Sequence, residues 1–193
     1  MIGLDFGFKK IKRAQILRKP WKKKNTNNGG VNKYSGLSKK EEFLLEKTCL
    51  KKINKNFKCL CKNKCSHFPS TIYSSNDELL LTNRGVSLNK YKDFVKNKEI
   101  DPISISNLDE QINCILDNLK KNNIKHLDMC LDGKNLCLSK TGVLSLIDFN
   151  IACIDNKYTT NKIKNRLNHY GNDIDSYNKF MKNSIIQIIK NTM

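Results

Sequence analysis

Residues 126–150, HLDMCLDGKNLCLSKTGVLSLIDFN, constrain this chain more tightly than any other stretch. Two short apolar runs, Leu136-Cys137-Leu138 and Val143-Leu144-Ser145-Leu146-Ile147, lie either side of Lys140-Thr141-Gly142. A turn between two apolar runs predicts a β-hairpin. Because a hairpin brings its outer ends together, Asn135 is expected beside Asp148. An amide oxygen next to a carboxylate is a hard-oxygen site suited to Mg²⁺ carrying a nucleotide. Asp128, just upstream, is then the candidate acceptor of a substrate hydroxyl proton. A solvated Asp/Asn hairpin without metal is the plainer alternative.

Elsewhere the elements follow in a readable order. Ser38-Lys39-Lys40-Glu41 is a capping box opening a helix through Ile53, with Phe43, Leu44, Leu45, Cys49, Leu50 and Ile53 at helical spacing. Thr71-Ile72-Tyr73 and residues 78–82 read as a hairpin across a turn at 74–77. Asn107-Leu108-Asp109-Glu110 makes a second capping box before the stripe Leu108, Ile112, Ile115, Leu116 and Leu119. Asp173 opens a last helix whose apolar positions are Tyr177, Phe180, Met181, Ile185, Ile188 and Ile189.

With 193 residues and 38% hydrophobic content, the chain can bury one real core, alone or with a small appendage. No apolar run approaches the ~20 residues that span a bilayer. The first residues, MIGLDFGFKKIKR, contain no signal-peptide apolar core, so an intracellular location, cytoplasmic or nuclear, is expected. The eight cysteines then read as reduced thiols. A net charge of +18 invites nucleic acid as a partner. The lysines are spread along the whole chain among Asn and Ile, as an AT-rich genome would encode, which makes that partner secondary. Cys59, Cys61, Cys65 and His67 form a candidate set of zinc ligands. Their Cys-x-Cys spacing is tighter than the common C-x₂-C knuckle, and a Lys-rich loop of free thiols is the alternative.

In order and in motif the chain resembles the protein-kinase fold. That family's catalytic loop, H-R-D-x-x-x-x-N, leads through two strands to D-F-G. Here His126-Leu127-Asp128, Asn135 and Asp148-Phe149 match it. Leu127 replaces the Arg, Asn150 replaces the Gly, and the loop is two residues longer. A gapless alignment would put Cys130 on the catalytic Asp position; a loop expansion keeps His-x-Asp intact and assigns Asp128. The resemblance further implies that Gly7, in Gly3-Leu4-Asp5-Phe6-Gly7-Phe8, covers the nucleotide phosphates. It gives Lys24 the role of the strand lysine, with Lys22 and Lys23 as rivals, and Glu46 that of its helix partner, with Glu42 as the alternative. Residues 82–84, Thr82 and Arg84 included, would hold adenine, with Leu81 guarding the pocket behind. The last helix looks like the one whose Asp braces the catalytic loop. No A-P-E equivalent follows.

The implied fold is α+β and two-lobed. A small N-lobe, residues 1–85, has a sheet and one helix and includes the Cys/His loop at 57–68; residues 86–193 form a reduced, mostly helical C-lobe. The implied function is ATP- and Mg²⁺-dependent phosphoryl transfer to a protein Ser/Thr hydroxyl, with a nucleotide and a protein substrate as partners and no membrane. Similar Lys- and Asn-rich kinase-like proteins occur in large DNA viruses. A pseudokinase binding module, or a basic nucleic-acid-binding protein with a zinc knuckle, are the competing expectations.

Overall fold

Ser38 begins the first helix as its sequence prescribes. Its Oγ accepts from the Glu41 N–H at 3.3 Å, and Glu41 Oε2 accepts from the Ser38 N–H at 2.7 Å. This reciprocal pair satisfies donors that a helix start leaves open. Helix α1 (Lys39–Asn56) therefore runs about a turn beyond the expected end at Ile53, burying Phe43, Glu46, Cys49, Leu50 and Ile53 along one face. The computed structural model describes the backbone of residues 16–20, and residues 32–59, 61, 66–75, 78–129, 131–157 and 160–193. Within them the chain is a mixed α/β protein of five helices and small antiparallel sheets, the α+β composition expected.

Strands β1 (Ile16–Pro20), β2 (Thr71–Ser74) and β3 (Glu78–Thr82) form one sheet in the order β1-β3-β2. The β2–β3 hairpin is the expected one. Along β3, Leu79 and Leu81 alternate inward, the period-2 pattern of a half-buried strand. Strand β1 runs antiparallel to it, with Ile16 opposite Thr82 and Lys19 opposite Leu79.

The chain then crosses to a second sheet through a forced glycine. Gly85 has φ +102°, and a Cβ there would lie 2.1 Å from the Leu138 carbonyl oxygen. Only glycine fits so close to another backbone. Strand β4 (Val86–Ser87) follows, then helix α2 (Leu88–Lys96), which the sequence pattern had not announced.

Helix α3 (Leu108–Lys121) matches its apolar stripe, but the expected Asn107 capping box is absent. Asn107 sits at φ 51° and makes no side-chain cap. Gln111 engages the segment before the helix instead: its Nε2 donates to Ser106 O (2.8 Å) and to Gly142 O (2.9 Å), and its Oε1 accepts from the Leu144 N–H (2.8 Å). Gln111 thereby joins the helix to the hairpin turn. Strand β5 (Ile124–His126) leads to that hairpin, β6 (Leu136–Leu138) and β7 (Leu144–Leu146), where Leu136 faces Leu146 and Leu138 faces Leu144. Strand β6 also pairs with β4, and β5 pairs with β8 (Ala152–Ile154).

Helices α4 (Asn161–Tyr170) and α5 (Ile174–Thr192) complete the fold. Asp173 caps α5, accepting from the Asp175 and Ser176 N–H groups, so its carboxylate serves its own helix. One contiguous apolar cluster joins α1, β3, α3, the β6–β7 hairpin and α5. No helix among the described residues is long and apolar enough to cross a membrane. Replacing the α1 cap, Ser38→Ala, should lower stability by about 1 kcal/mol in urea unfolding; an unchanged midpoint would show that the capping box does not hold this helix.

Candidate functional site

The hairpin brings Asn135 and Asp148 to its open end. The Ile147 N–H donates to Asn135 O at 3.0 Å, one residue before Asp148. Asn135 is buried, and its Nδ2 donates both to Asp128 O (2.6 Å) and to Asp128 Oδ2 (3.1 Å). The loop expansion between Asp128 and Asn135 is therefore closed by a side chain at one end and the backbone and carboxylate at the other. Gly133, within that loop, packs beside Leu88 of α2 and Ile188 of α5. Cys130, the residue of the gapless alignment, lies outside the described residues.

Two cations attend Asp128. Arg166 Nη1, from α4, donates to Leu127 O at 2.7 Å and reaches Asp128 Oδ1 at 3.4 Å. Lys134 Nζ lies 3.5 Å from Oδ2. Sequence reading named neither. Arg166 supplies its guanidinium from a helix far along the chain. Asp148 itself has φ 67°, a left-handed backbone that Asp tolerates better than most side chains.

His126 connects the loop to the hairpin. Its ring nitrogen Nε2 lies 2.9 Å from Ile147 O; a carbonyl can only accept, so the proton is on Nε2. Its Nδ1 is buried without a partner. Burial pushes the imidazolium form down, against the pull of the Ile147 carbonyl and the Asp128 and Asp148 charges, and the ring is neutral. Phe149 stacks edge-on to it at 4.9 Å between centroids and continues to Phe68 at 6.0 Å. Below the loop, the Tyr177 hydroxyl of α5 accepts from the His126 N–H at 2.6 Å and donates to His126 O at 3.3 Å. Tyr177 thus ties α5 to the backbone of His126. In the sequence it read only as part of an apolar stripe.

Helix α1 contributes two carboxylates. Glu46 lies on its buried face. Glu42, one turn earlier, accepts from Asn32 Nδ2 (2.6 Å) and Ser35 Oγ (2.9 Å). Burial raises the Glu42 pKa; these hydrogen bonds oppose the rise, and the Asp148 and Asp128 charges add to it. Glu42 thus lies within electrostatic reach of Asp128 and Asp148. Of the other expected nucleotide contacts, Gly7 and Lys24 lie outside the described residues. The Thr82 N–H donates to Ser70 O at 2.9 Å, while its Oγ1 accepts from Ser70 N–H, so that amide is already engaged within the sheet. Arg84 Nη2 donates to Ser66 Oγ (3.0 Å) and Ser70 Oγ (3.3 Å). Leu81 is buried, as a pocket-wall residue would be.

A second constellation forms away from the loop. Cys59, Cys61 and His67 meet Cys114 of α3, their ligand atoms all within 4.8 Å of one another. Cys65 lies outside the described residues. Cys114 escaped sequence reading because a cysteine inside an apolar helix looks like core. Cys61 Sγ is 3.0 Å from Cys59 Sγ and 3.4 Å from His67 Nε2. His67 Nδ1 donates to Leu144 O at 2.6 Å, which leaves the Nε2 lone pair turned toward the sulfurs. Burial, then the neighbouring Cys61 thiol, pushes the Cys59 thiol up. Such a set can hold a soft metal ion.

Removing the Tyr177 hydroxyl should leave the buried His126 N–H without a partner. Tyr177→Phe is expected to destabilise the fold by roughly 1–3 kcal/mol in urea unfolding; a wild-type midpoint would show that the brace carries no energy.

No protein-family model matches the sequence, and no curated protein matches it.

Proposed function

We propose that this chain is an ATP- and Mg²⁺-dependent phosphotransferase of two-lobed, protein-kinase-like fold, acting on a hydroxyl, with a protein Ser/Thr side chain as the favoured acceptor. What carries the reading is the meeting of Asp128, Asn135 and Ile147–Asp148 at the open end of one hairpin, tied by the Asn135 amide and the Ile147 N–H. The order of elements supports it: a three-stranded sheet with one helix, a glycine crossing, a buried helix, the loop, the hairpin and a bracing helix. The buried Phe149 beside His126 agrees with the D-F motif.

In this reading Asp128 accepts the hydroxyl proton, or orients the hydroxyl, as it attacks the γ-phosphate. Asn135 Oδ1 and the Asp148 carboxylate are the oxygens offered to Mg²⁺, which would neutralise phosphate charge when bound with nucleotide. Lys134, 43% exposed at its side chain and 3.5 Å from Asp128, is a cation of the chain itself that could meet the transferred group. Arg166 aims the Asp128 carboxylate through its contacts to Leu127 O and Asp128 Oδ1. Phosphoryl transfer needs little covalent help from a protein, so this positioning and charge balance are the catalysis. Glu46 remains the expected partner of a strand lysine. Nucleic acid stays a secondary partner, suited by the charge of +18. Zinc, the remaining expected cofactor, belongs to the Cys/His cluster and takes no part in transfer.

Asp128→Ala should cut transfer of the γ-phosphate to a hydroxyl acceptor by about 10²–10⁴-fold while leaving nucleotide affinity within about threefold of wild type. Equal turnover in wild type and variant would remove Asp128 from the chemistry. Nucleotide binding without transfer by the wild type would instead favour a pseudokinase.

A further inference from the structure

The cysteine and histidine side chains near α3 are built as a closed site. His67, Cys61 and Cys114 are all buried, and Cys59 is half-buried. A tetrahedral ion with Zn–S near 2.3 Å and Zn–N near 2.0–2.1 Å separates its ligands by roughly 3.8 Å between sulfurs and roughly 3.6 Å between sulfur and nitrogen. The Cys61–His67 separation of 3.4 Å is close to that edge. The Cys59–Cys61 separation of 3.0 Å would open by roughly 0.8 Å around an ion.

Groups behind the ligands are arranged for the same task. The imidazole donates its other nitrogen proton to Leu144 O, which orients a metal-ligating histidine and fixes its tautomer. Asn118, one turn after Cys114 on α3, grips the residue before Cys59: its Oδ1 accepts from the Lys58 N–H at 3.1 Å and its Nδ2 donates to Lys58 O at 2.9 Å. The same Nδ2 also donates to Cys114 O at 2.8 Å, which fixes this amide 3.7 Å from Cys114 Sγ. Three thiolates and a neutral imidazole around a divalent ion leave one negative charge, which a chain of net charge +18 accommodates readily. Soft sulfur ligands disfavour Mg²⁺ and Ca²⁺, and four protein ligands leave no open position for catalysis.

We propose that Cys59, Cys61, His67 and Cys114 bind one structural Zn²⁺ ion that fastens the segment after α1 to α3 and holds strand β7 in place. The second half of this proposal rests on two bonds: His67 takes Leu144 O on its ring and the Leu146 N–H on its own carbonyl, at 2.9 Å. Strand β7 ends just before Ile147 and Asp148, so the ion would stiffen the hairpin that carries them. On binding, the three thiols lose their protons to solvent and no bond of the chain is broken. Zinc binding of this kind is independent of any nucleotide chemistry.

The full chain, purified without chelator, should carry close to one zinc per molecule by atomic spectroscopy. Cys65→Ser and Cys137→Ser should keep it, and Cys114→Ser and His67→Ala should lose most of it. If the latter variants do not fold, cobalt reconstitution of the wild type replaces them; intense visible bands with sulfur charge transfer are expected from a tetrahedral thiolate site. Chelation should speed amide exchange at Leu146 about tenfold or more. The proposal is overturned by wild-type protein without stoichiometric zinc, by a Cys59–Cys61 disulfide in metal-free protein as purified, or by a weak octahedral cobalt spectrum. Zinc lost in Cys65→Ser but kept in Cys114→Ser would overturn the ligand set, and unchanged Leu146 exchange would overturn the role at β7.

Discussion

The buried amide of Asn135 is the interaction on which the rest of the loop depends. Its side-chain nitrogen spans the Asp128 carbonyl and carboxylate, while the backbone carbonyl of the same residue takes the Ile147 N–H. A buried amide left unpaired is costly, and inside a low-dielectric core each of these bonds is stronger than it would be in water. One residue, through its side chain and its backbone, therefore ties the start of the loop to the end of the hairpin. His126, which grips Ile147 from the other side, and Tyr177, which holds the His126 backbone, extend the same frame down to α5.

Charge is the second organising fact. The chain is strongly basic, yet Glu42 lies within electrostatic reach of Asp128 and Asp148. Neighbouring carboxylates repel one another unless cations intervene. Arg166 and Lys134 do so at Asp128, and the Arg166 guanidinium, delivered from α4, also binds the Leu127 carbonyl.

What could be read from sequence was local. The β6–β7 hairpin follows from two apolar runs and a glycine turn. Helix α1 follows from its capping box and stripe, and α3 from its stripe, since the contacts that decide these elements lie within a few residues. The failed Asn107 cap shows the limit: the side chain that settles that end of α3 is Gln111, whose partners Gly142 and Leu144 belong to a distant turn. Cys114, Arg166 and Tyr177 escaped for the same reason. Each looks ordinary in its own helix and gains meaning only beside Cys61, Asp128 or His126. Helix α2 and strands β4, β5 and β8 are short pieces whose partners, not their composition, make them regular.

The central claim is that Asn135 and Asp148 form a metal–nucleotide site. It is tested most directly by calorimetric ATP binding with and without Mg²⁺, comparing wild type with Asp148→Asn. The account predicts Mg²⁺-dependent binding that weakens about tenfold or more in the variant, since a charged metal ligand has been neutralised. Absence of ATP binding at any Mg²⁺ concentration, or binding indifferent to both the metal and the substitution, would contradict it.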